Sequence, residues 1–297
     1  MRVLVTGTAG RVGSVVAREF LAHGYQVRGL DKNPPHEDLR GRIETVYADL
    51  TDRFALLRAA DGCEAIAHLA AIPTPSHGEE GIFPTNVTGT QYLLAAAEAT
   101  GIRRVALAST CCTFGIYFAR HPFDPQYFPM DERHPALPQD MYGLSKLLNE
   151  ETAAAYTRRA GITTVCLRLT TVVDFGNRQY FHWWRHGLTS DRERRNDMWS
   201  YVDVRDAARA FRLAIENAVD GTSAVAIIAR RDSLTAHDIR HLVKRHFPAL
   251  APQVETFEPT QCLYRTDMAE NAFGFVAEHS WREVPELSDL KPEFNEE

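Results

Sequence analysis

The sequence predicts an α/β fold: a doubly wound parallel sheet with a small C-terminal lobe. Three observations carry that prediction. Short apolar runs of strand length alternate with helical patterns over most of the chain, the order that gives parallel strands joined by crossovers. Three glycines, Gly7, Gly10 and Gly13, fill the first turn between a strand and a helix. An acid, Asp31, ends the strand that follows. Together they describe a Rossmann-type sheet that binds a dinucleotide. Residues 1–170 are expected to form this core. Residues 171–297 are expected to be mainly a substrate-binding lobe, with 200–230 returning to the core.

Residues 3–5 read as the first strand. The turn Thr6-Gly7-Thr8-Ala9-Gly10-Arg11-Val12-Gly13 follows, and Val15, Val16, Phe20 and Leu21 then give a helix stopped at Gly24. Gly7 permits the tight turn, Gly10 lets backbone approach a pyrophosphate, and Gly13 lets helix pack on strand. Arg11 and Val12 open that helix, where free N–H groups and the helix dipole favour anions. Residues 25–30 are the second strand. A carboxylate at Asp31 accepts from a ribose 2′-OH and repels a 2′-phosphate, so NAD is favoured over NADP. Lys32 and Arg11 are nearby cations that soften this preference.

Residues 43–48 are a third strand leading to Asp49 and Leu50, 51–60 a helix, and 65–69 a fourth strand. Ala70 and Ala71 are small enough for backbone to lie against a cofactor. Residues 73–81 form a loop rich in Pro, Ser and Gly; Thr74 and Ser76 there are candidate substrate contacts. A long helix opens at Asn86 and stops at Gly101. Residues 104–108 are the fifth strand, delivering Ser109 and Thr110 to its carboxyl end, the edge where open α/β sheets bind ligands. Residues 114–139 hold five prolines and read as an irregular excursion over the site. Residues 163–167 are the sixth strand. Beyond Arg168 the pattern loosens: 203–216 and 235–247 are helical, 224–228 is a strand, and the acidic tail past Leu287 reads as poorly ordered.

The stretch Tyr142-Gly143-Leu144-Ser145-Lys146 opens a helix that runs to Gly161. Tyr142 and Lys146, four apart, share one helix face. A free tyrosine has a pKa of about 10, and a nearby ammonium favours the phenolate. Such a pair can move a proton on or off a substrate hydroxyl.

Composition narrows the class. The chain has 297 residues, 44% hydrophobic and 24% charged, an ordinary globular balance. A net charge of -6 gives no support for nucleic-acid binding. No apolar run approaches the ~20 residues of a membrane span. The immediate strand pattern leaves no room for a signal peptide. Five irregularly spaced cysteines make no disulfide framework, and a reducing cytoplasm is the simplest setting. His182 with His186, and His237 with His241, have zinc-like spacing but lack a third ligand, so no metal is expected. Trp183 and Trp184 are candidate pocket walls. Arg192, Arg194 and Arg195 lie C-terminal to the sixth strand, and an arginine fork there suits an anionic sugar group.

The glycine turn, Asp31, Ser109-Thr110 and Tyr142–Lys146 together resemble the extended short-chain dehydrogenase/reductases, the NAD-dependent epimerase/dehydratase family. Asp49-Leu50, Leu69-Ala70-Ala71, Asn86, Arg168 and Tyr201-Val202-Asp203 support the likeness. The resemblance implies that Thr110 hydrogen-bonds the reacting oxygen, Tyr142 is the acid/base, and Lys146 holds the nicotinamide ribose and lowers the tyrosine pKa. Ser109 and Asn86 resemble cofactor-site or supporting residues. Where family dehydratases carry an Asp-Glu pair after the catalytic Thr, this chain has Cys111 and Cys112, which are then substrate-side residues without acid or base. Nucleotide-sugar epimerases usually carry Asn where Thr171 stands. The spacing of Arg194 and Trp199 is similar to that of uronate dehydrogenases, whose arginine binds the sugar carboxylate. The helices after Asn86 and Tyr142 form a dimer interface in many relatives, and Ala95, Ala96, Ala153 and Ala154 would permit close packing. The resemblance therefore implies an NAD-dependent oxidoreductase acting on a secondary alcohol or carbonyl of a sugar or sugar acid. An epimerase is the alternative within the class, and a non-catalytic NAD(P)-sensing protein the alternative outside it; in each case the resemblance implies a homodimer. The intact Thr110, Tyr142 and Lys146 speak against the sensor.

Overall fold

Seven strands pair, all parallel, in the order β3-β2-β1-β4-β5-β6-β9. They are β1 (Arg2–Thr6), β2 (Gln26–Asp31), β3 (Glu44–Tyr47), β4 (Ala65–His68), β5 (Arg104–Thr110), β6 (Thr163–Leu169) and β9 (Ser223–Ile228). This is the doubly wound sheet that the alternation predicts. The structure, a computed structural model, describes residues 1–77, 79–177, 181–190 and 193–292. Asp191, Arg192 and the tail beyond 292 lie outside the described residues, as do the side chains of His182 and Trp183.

The central strands read as continuous apolar runs because both faces are covered. One face packs α1 (Arg11–Ala22) and α6 (Val204–Asn217), with Val3, Val5, Phe20 and Phe211 buried between. The other packs α2 (Arg53–Ala60), α3 (Gly89–Thr100) and α4 (Met141–Ala160) over Leu4, Ile66, Leu93 and Tyr156. The order reverses between β1 and β4, and that switch point opens a crevice at the carboxyl edge.

Elements differ from their predicted bounds where a side chain competes with the helix. The helix predicted at 51–60 begins at Arg53 because Asp52 caps it, accepting from the Phe54 and Ala55 amides. The helix predicted at 235–247 shrinks to α7 (Ile239–His246): Thr235 Oγ1 accepts the His237 amide, and Asp238 then caps. The helix predicted from Asn86 starts instead as a π-helical turn, Phe83–Thr88. A Cβ on Gly89 would lie 2.6 Å from Leu50 Cβ, so glycine permits the close pass of α3. β5 and β6 each run two residues past their predicted ends, carrying Ser109, Thr110 and Arg168 within the ladder.

The looser C-terminal pattern holds elements that periodicity does not mark. β7 (Thr171–Val173) and β8 (Tyr201–Asp203) pair in a second small parallel sheet. α5 (Phe181–Thr189), α8 (Asp267–Phe273) and α9 (Pro285–Ser288) complete the chain. The excursion is held to the C-terminal part through Gln253, whose side chain accepts the Phe128 amide at 2.7 Å, and through backbone pairing at Met130. There the Met130 amide donates to Leu263 O and the Arg265 amide to Met130 O, both at 2.8 Å. Among the described residues no helix is long and apolar enough to cross a membrane.

Candidate active site

The crevice is a cavity of 930 Å³ at the carboxyl ends of β1, β2, β4, β5 and β6. Gly7, Gly10, Arg11, Val12, Gly13, Asp31, Asp49, Leu50, Leu69, Ala70 and Ala71 all line it. The glycine spacing has a steric reason. Gly7 adopts φ 79°, and a Cβ on Gly13 would sit 2.0 Å from Gly7 O. The turn therefore closes only with glycine at both ends. No side chain caps the N-terminus of α1, so its leading amides remain for a ligand anion. Asp31 holds the turn: its Oδ2 accepts the Ala9 amide at 3.0 Å and its Oδ1 the Asn33 amide at 2.9 Å. Arg11 is drawn aside to Val172 O at 3.2 Å. Such a cradle fits a dinucleotide pyrophosphate with its adenosine ribose at Asp31.

A buried polar chain that no motif marks braces this wall. Thr90 Oγ1 donates to Asn86 O at 2.6 Å, so His68 Nε2 must be the donor to Thr90 at 3.0 Å. His68 Nδ1 then accepts from Thr6 Oγ1 at 2.7 Å, and Thr6 in turn accepts the Leu69 and Ala70 amides. Burial pulls His68 down to about 3, consistent with a neutral ring. Asn86 does not line the cavity. Its amide clasps the Ile72 backbone at 2.8 and 3.0 Å and donates to Ser145 Oγ at 3.0 Å, tying the loop after β4 to α4. Its place is thus beside the predicted cofactor contacts rather than among them.

Thr110, Tyr142 and Lys146 all line the cavity. Thr110 ends β5 and caps the short turn Cys111–Phe114, accepting the Cys112 amide at 3.1 Å. Asp140 caps α4 through the Gly143 amide at 2.8 Å, which sets Tyr142 in its first turn. A Cβ on Gly143 would lie 2.8 Å from Cys112 O, so glycine lets α4 approach the turn that follows β5. Lys146 Nζ donates to Ala108 O at 2.9 Å and lies 6.0 Å from the Tyr142 ring. Burial pulls Lys146 down to about 8. The expected lowering of Tyr142 by Lys146 is not what these residues produce. Burial, then Cys112, push the phenol well above its usual range, and the hydrogen bond with Thr110 only partly opposes them. Ser109 lines the cavity, but its hydroxyl donates to Glu150 at 2.5 Å, and Glu150 is held by Arg168 at 2.8 and 2.9 Å. This buried triangle fixes β5, α4 and β6 behind the site.

The substrate-side candidates separate. Thr74, Ser76, Cys111 and Cys112 line the cavity. Thr74 and Ser76 share a hydrogen bond of 2.9 Å. Burial pushes both thiols up, Cys112 to about 12, so neither replaces the acid and base of a dehydratase. The structure corrects the anion site. Arg194 does not line the cavity; it pairs at 2.9 Å with buried Asp197 and stacks on Trp184. Arg195 does not line it either; it pairs with Asp124 at 2.5 Å and lies over Phe247. The residues that do reach the cavity from this segment are Asn196 and Asp197. Tyr117, Phe118 and Tyr264 add aromatic walls that no local motif announced. Of the paired histidines, His186 meets Glu193 at 3.2 Å and His237 the Thr189 carbonyl at 2.6 Å.

Known proteins share this architecture. The chain is 29% identical over 223 residues to an NAD-dependent glucose-6-phosphate dehydrogenase of Haloferax volcanii, covering 72% of this chain and 80% of that one. It is 32% identical over 174 residues to a uronate dehydrogenase of Pseudomonas putida, covering 57% of this chain and 60% of the relative. Its fold is similar to that of a short-chain dehydrogenase/reductase superfamily protein from Agrobacterium tumefaciens with bound NAD, at a TM-score of 0.69 and 24% identity over 96% and 95% of the two chains. The model of one family matches residues 3–228, a stretch that takes in the sheet from β1 to the end of β9. The chain belongs to the NAD dependent epimerase/dehydratase family.

Proposed function

We propose that this protein is an NAD-dependent oxidoreductase that moves a hydride to or from a secondary alcohol or carbonyl of a sugar or sugar acid. The observation that carries the reading is the convergence of Thr110, Tyr142 and Lys146 in the same cavity as the glycine turn and Asp31. When bound, NAD supplies the hydride acceptor, and its reduced form the donor. The amides after Gly10 would hold the pyrophosphate, Asp31 the adenosine ribose, and Lys146 the nicotinamide ribose. Thr110 orients the reacting oxygen by a hydrogen bond. Tyr142 gives a proton to that oxygen in reduction and takes it in oxidation. Burial keeps its phenol protonated at neutral pH, and a positive charge placed beside it lowers the barrier to taking the reverse role. Relatives named for glucose 6-phosphate and for uronate support a sugar as substrate.

The test is a screen of aldoses, uronic acids and sugar phosphates with NAD, read by NADH absorbance and by product analysis. NADH accumulating with one sugar class supports the reading. An epimerised product with the cofactor unchanged would make the protein an epimerase, and binding without either would make it a sensor. The same reading makes it a cytoplasmic homodimer joined through α3 and α4. Ala95 and Ala154 are part-exposed there, whereas Ala96 and Ala153 are buried within the chain. Sedimentation analysis decides that assembly: a monomer would overturn it.

A further inference from the structure

The charged group that the arginine-rich segment presents to the substrate end is not an arginine but the carboxylate of Asp197, paired behind with Arg194. Arg194, Met198 and Trp199 all have positive φ, at 68°, 56° and 47°. That curl brings Arg194 onto Asp197, with each side chain only 7% exposed. Asp197 lines the cavity and Arg194 does not. Three donors converge on the carboxylate: Arg194 Nη2 at 2.9 Å and Thr171 Oγ1 at 2.9 Å on Oδ2, and the Trp199 amide at 3.1 Å on Oδ1. An ionised carboxylate has about four acceptor sites, so one remains for a further donor. Next to it, Asn196 Oδ1 takes Arg195 at 3.1 Å, which leaves the Asn196 amide hydrogens for another partner. Among the described residues, the cations that line the cavity are Arg11, Lys32 and Lys146. The first two flank the glycine turn and Asp31, and Lys146 is held on Ala108 O. Tyr117 and Phe118 pack edge to face beside the same compartment, and Phe118 meets the Tyr142 ring in the same way.

We propose that Asp197 is the specificity-determining residue of the substrate compartment: it accepts a hydroxyl of an uncharged sugar and, by holding Arg194, turns away carboxylated and phosphorylated sugars. The assignment deepens the oxidoreductase reading and rests on it for the place of the reacting carbon. An incoming anion would meet a desolvated carboxylate whose cation is already engaged, and like charges brought together in an interface are strongly disfavoured. A neutral sugar offers hydroxyls to Asp197 and Asn196 and C–H faces to the aromatic rings. Thr171, which stands where nucleotide-sugar epimerases usually carry Asn, is one of the three groups fixing the carboxylate.

The 297-residue chain is tested with glucose, glucuronate and glucose 6-phosphate, and with galactose and galacturonate. NADH formation is measured with NAD present, and calorimetric binding with the protein saturated in NADH. The neutral sugar of each set should be favoured over its charged counterparts on the order of 100-fold, a like-charge penalty expressed as an affinity ratio. Asp197→Asn should narrow that ratio about tenfold by removing the charge and releasing Arg194. Should that variant fail to fold, Thr171→Val keeps the carboxylate but loosens it, and should narrow the ratio less. A wild-type preference for the acid or phosphate overturns the proposal, as does an unchanged ratio in every folded variant. The two readings fail differently. Uronate oxidation with neutral sugars ignored keeps the oxidoreductase and removes the role of Asp197. Tighter binding of neutral sugars with no NADH formed from any sugar keeps Asp197 and removes the oxidoreductase.

Discussion

The two ends of the cavity are built in opposite ways. The cofactor end comes mostly from four short segments of the first part of the chain, residues 7 and 9–13, 30–33, 48–50 and 69–73, in chain order at the ends of β1, β2, β3 and β4. The substrate end is gathered from Thr74, Ser76, residues 110–112, 116–118, 169–172, 196–197 and Tyr264, drawn from several distant elements and loops. The first end is fixed by local sterics, glycine against backbone. The second is fixed by long-range pairing: Asp197 with Thr171, and Met130 with Tyr264. A motif can therefore specify the first end, whereas only the completed fold specifies the second.

Three substitutions sharpen that contrast. Tyr142 stands at the border, so Tyr142→Phe should lower turnover by about 10²- to 10⁴-fold, the usual worth of a positioned acid/base. Its NAD affinity should stay within a few-fold, measured by titration; near-normal turnover would remove Tyr142 from the chemistry. Gly13→Ala acts wholly at the cofactor end. Its Cβ would meet Gly7 O at 2.0 Å, and α1 must shift to admit it. At about 3 kcal/mol for severe overpacking, NAD should bind roughly 100-fold more weakly. Sugar preference among turnovers that survive should be unchanged; a changed preference would mean that the two ends are not independent. Asp31→Ala is expected to be mildest. Losing one charged hydrogen bond of about 1.5 kcal/mol should cut the preference for NAD over NADP about tenfold. Equal affinity for both cofactors in the unmutated protein would show that Lys32 or Arg11 outweighs the carboxylate.

Legibility in the sequence follows the same divide. Gly7, Gly10, Gly13 and Asp31 are readable because a tight turn forces residue type and spacing. Tyr142 and Lys146 are readable because a helix puts positions four apart on one face. The strands are readable because both their faces are buried. His68 is not readable: its neighbours in β4 are alanine and isoleucine, and nothing local indicates a neutral imidazole bridging Thr6 and Thr90. The arginine run misleads for a physical reason. Its sign reads as an anion site, but three residues other than glycine in the left-handed region turn Arg194 inward onto Asp197. Left-handed conformations of such residues have little local signature. The one available signal was the Arg-x-x-Asp spacing at 194 and 197, three residues apart.

The clip between Met130 and the segment around Tyr264 has a consequence for how the molecule is made. Chains emerge from the ribosome N-terminus first, and early segments begin to fold while later ones are still being added. The glycine turn and its strand partners emerge early. Tyr264 follows Met130 by roughly 130 residues, which at ordinary elongation rates is a delay on the order of ten seconds. During that delay the strands and turns of the cofactor end emerge, while Met130 in the excursion still lacks its pairing partner beside the substrate compartment. Synthesis thus delivers every residue of the cofactor end before the Tyr264 wall of the substrate end.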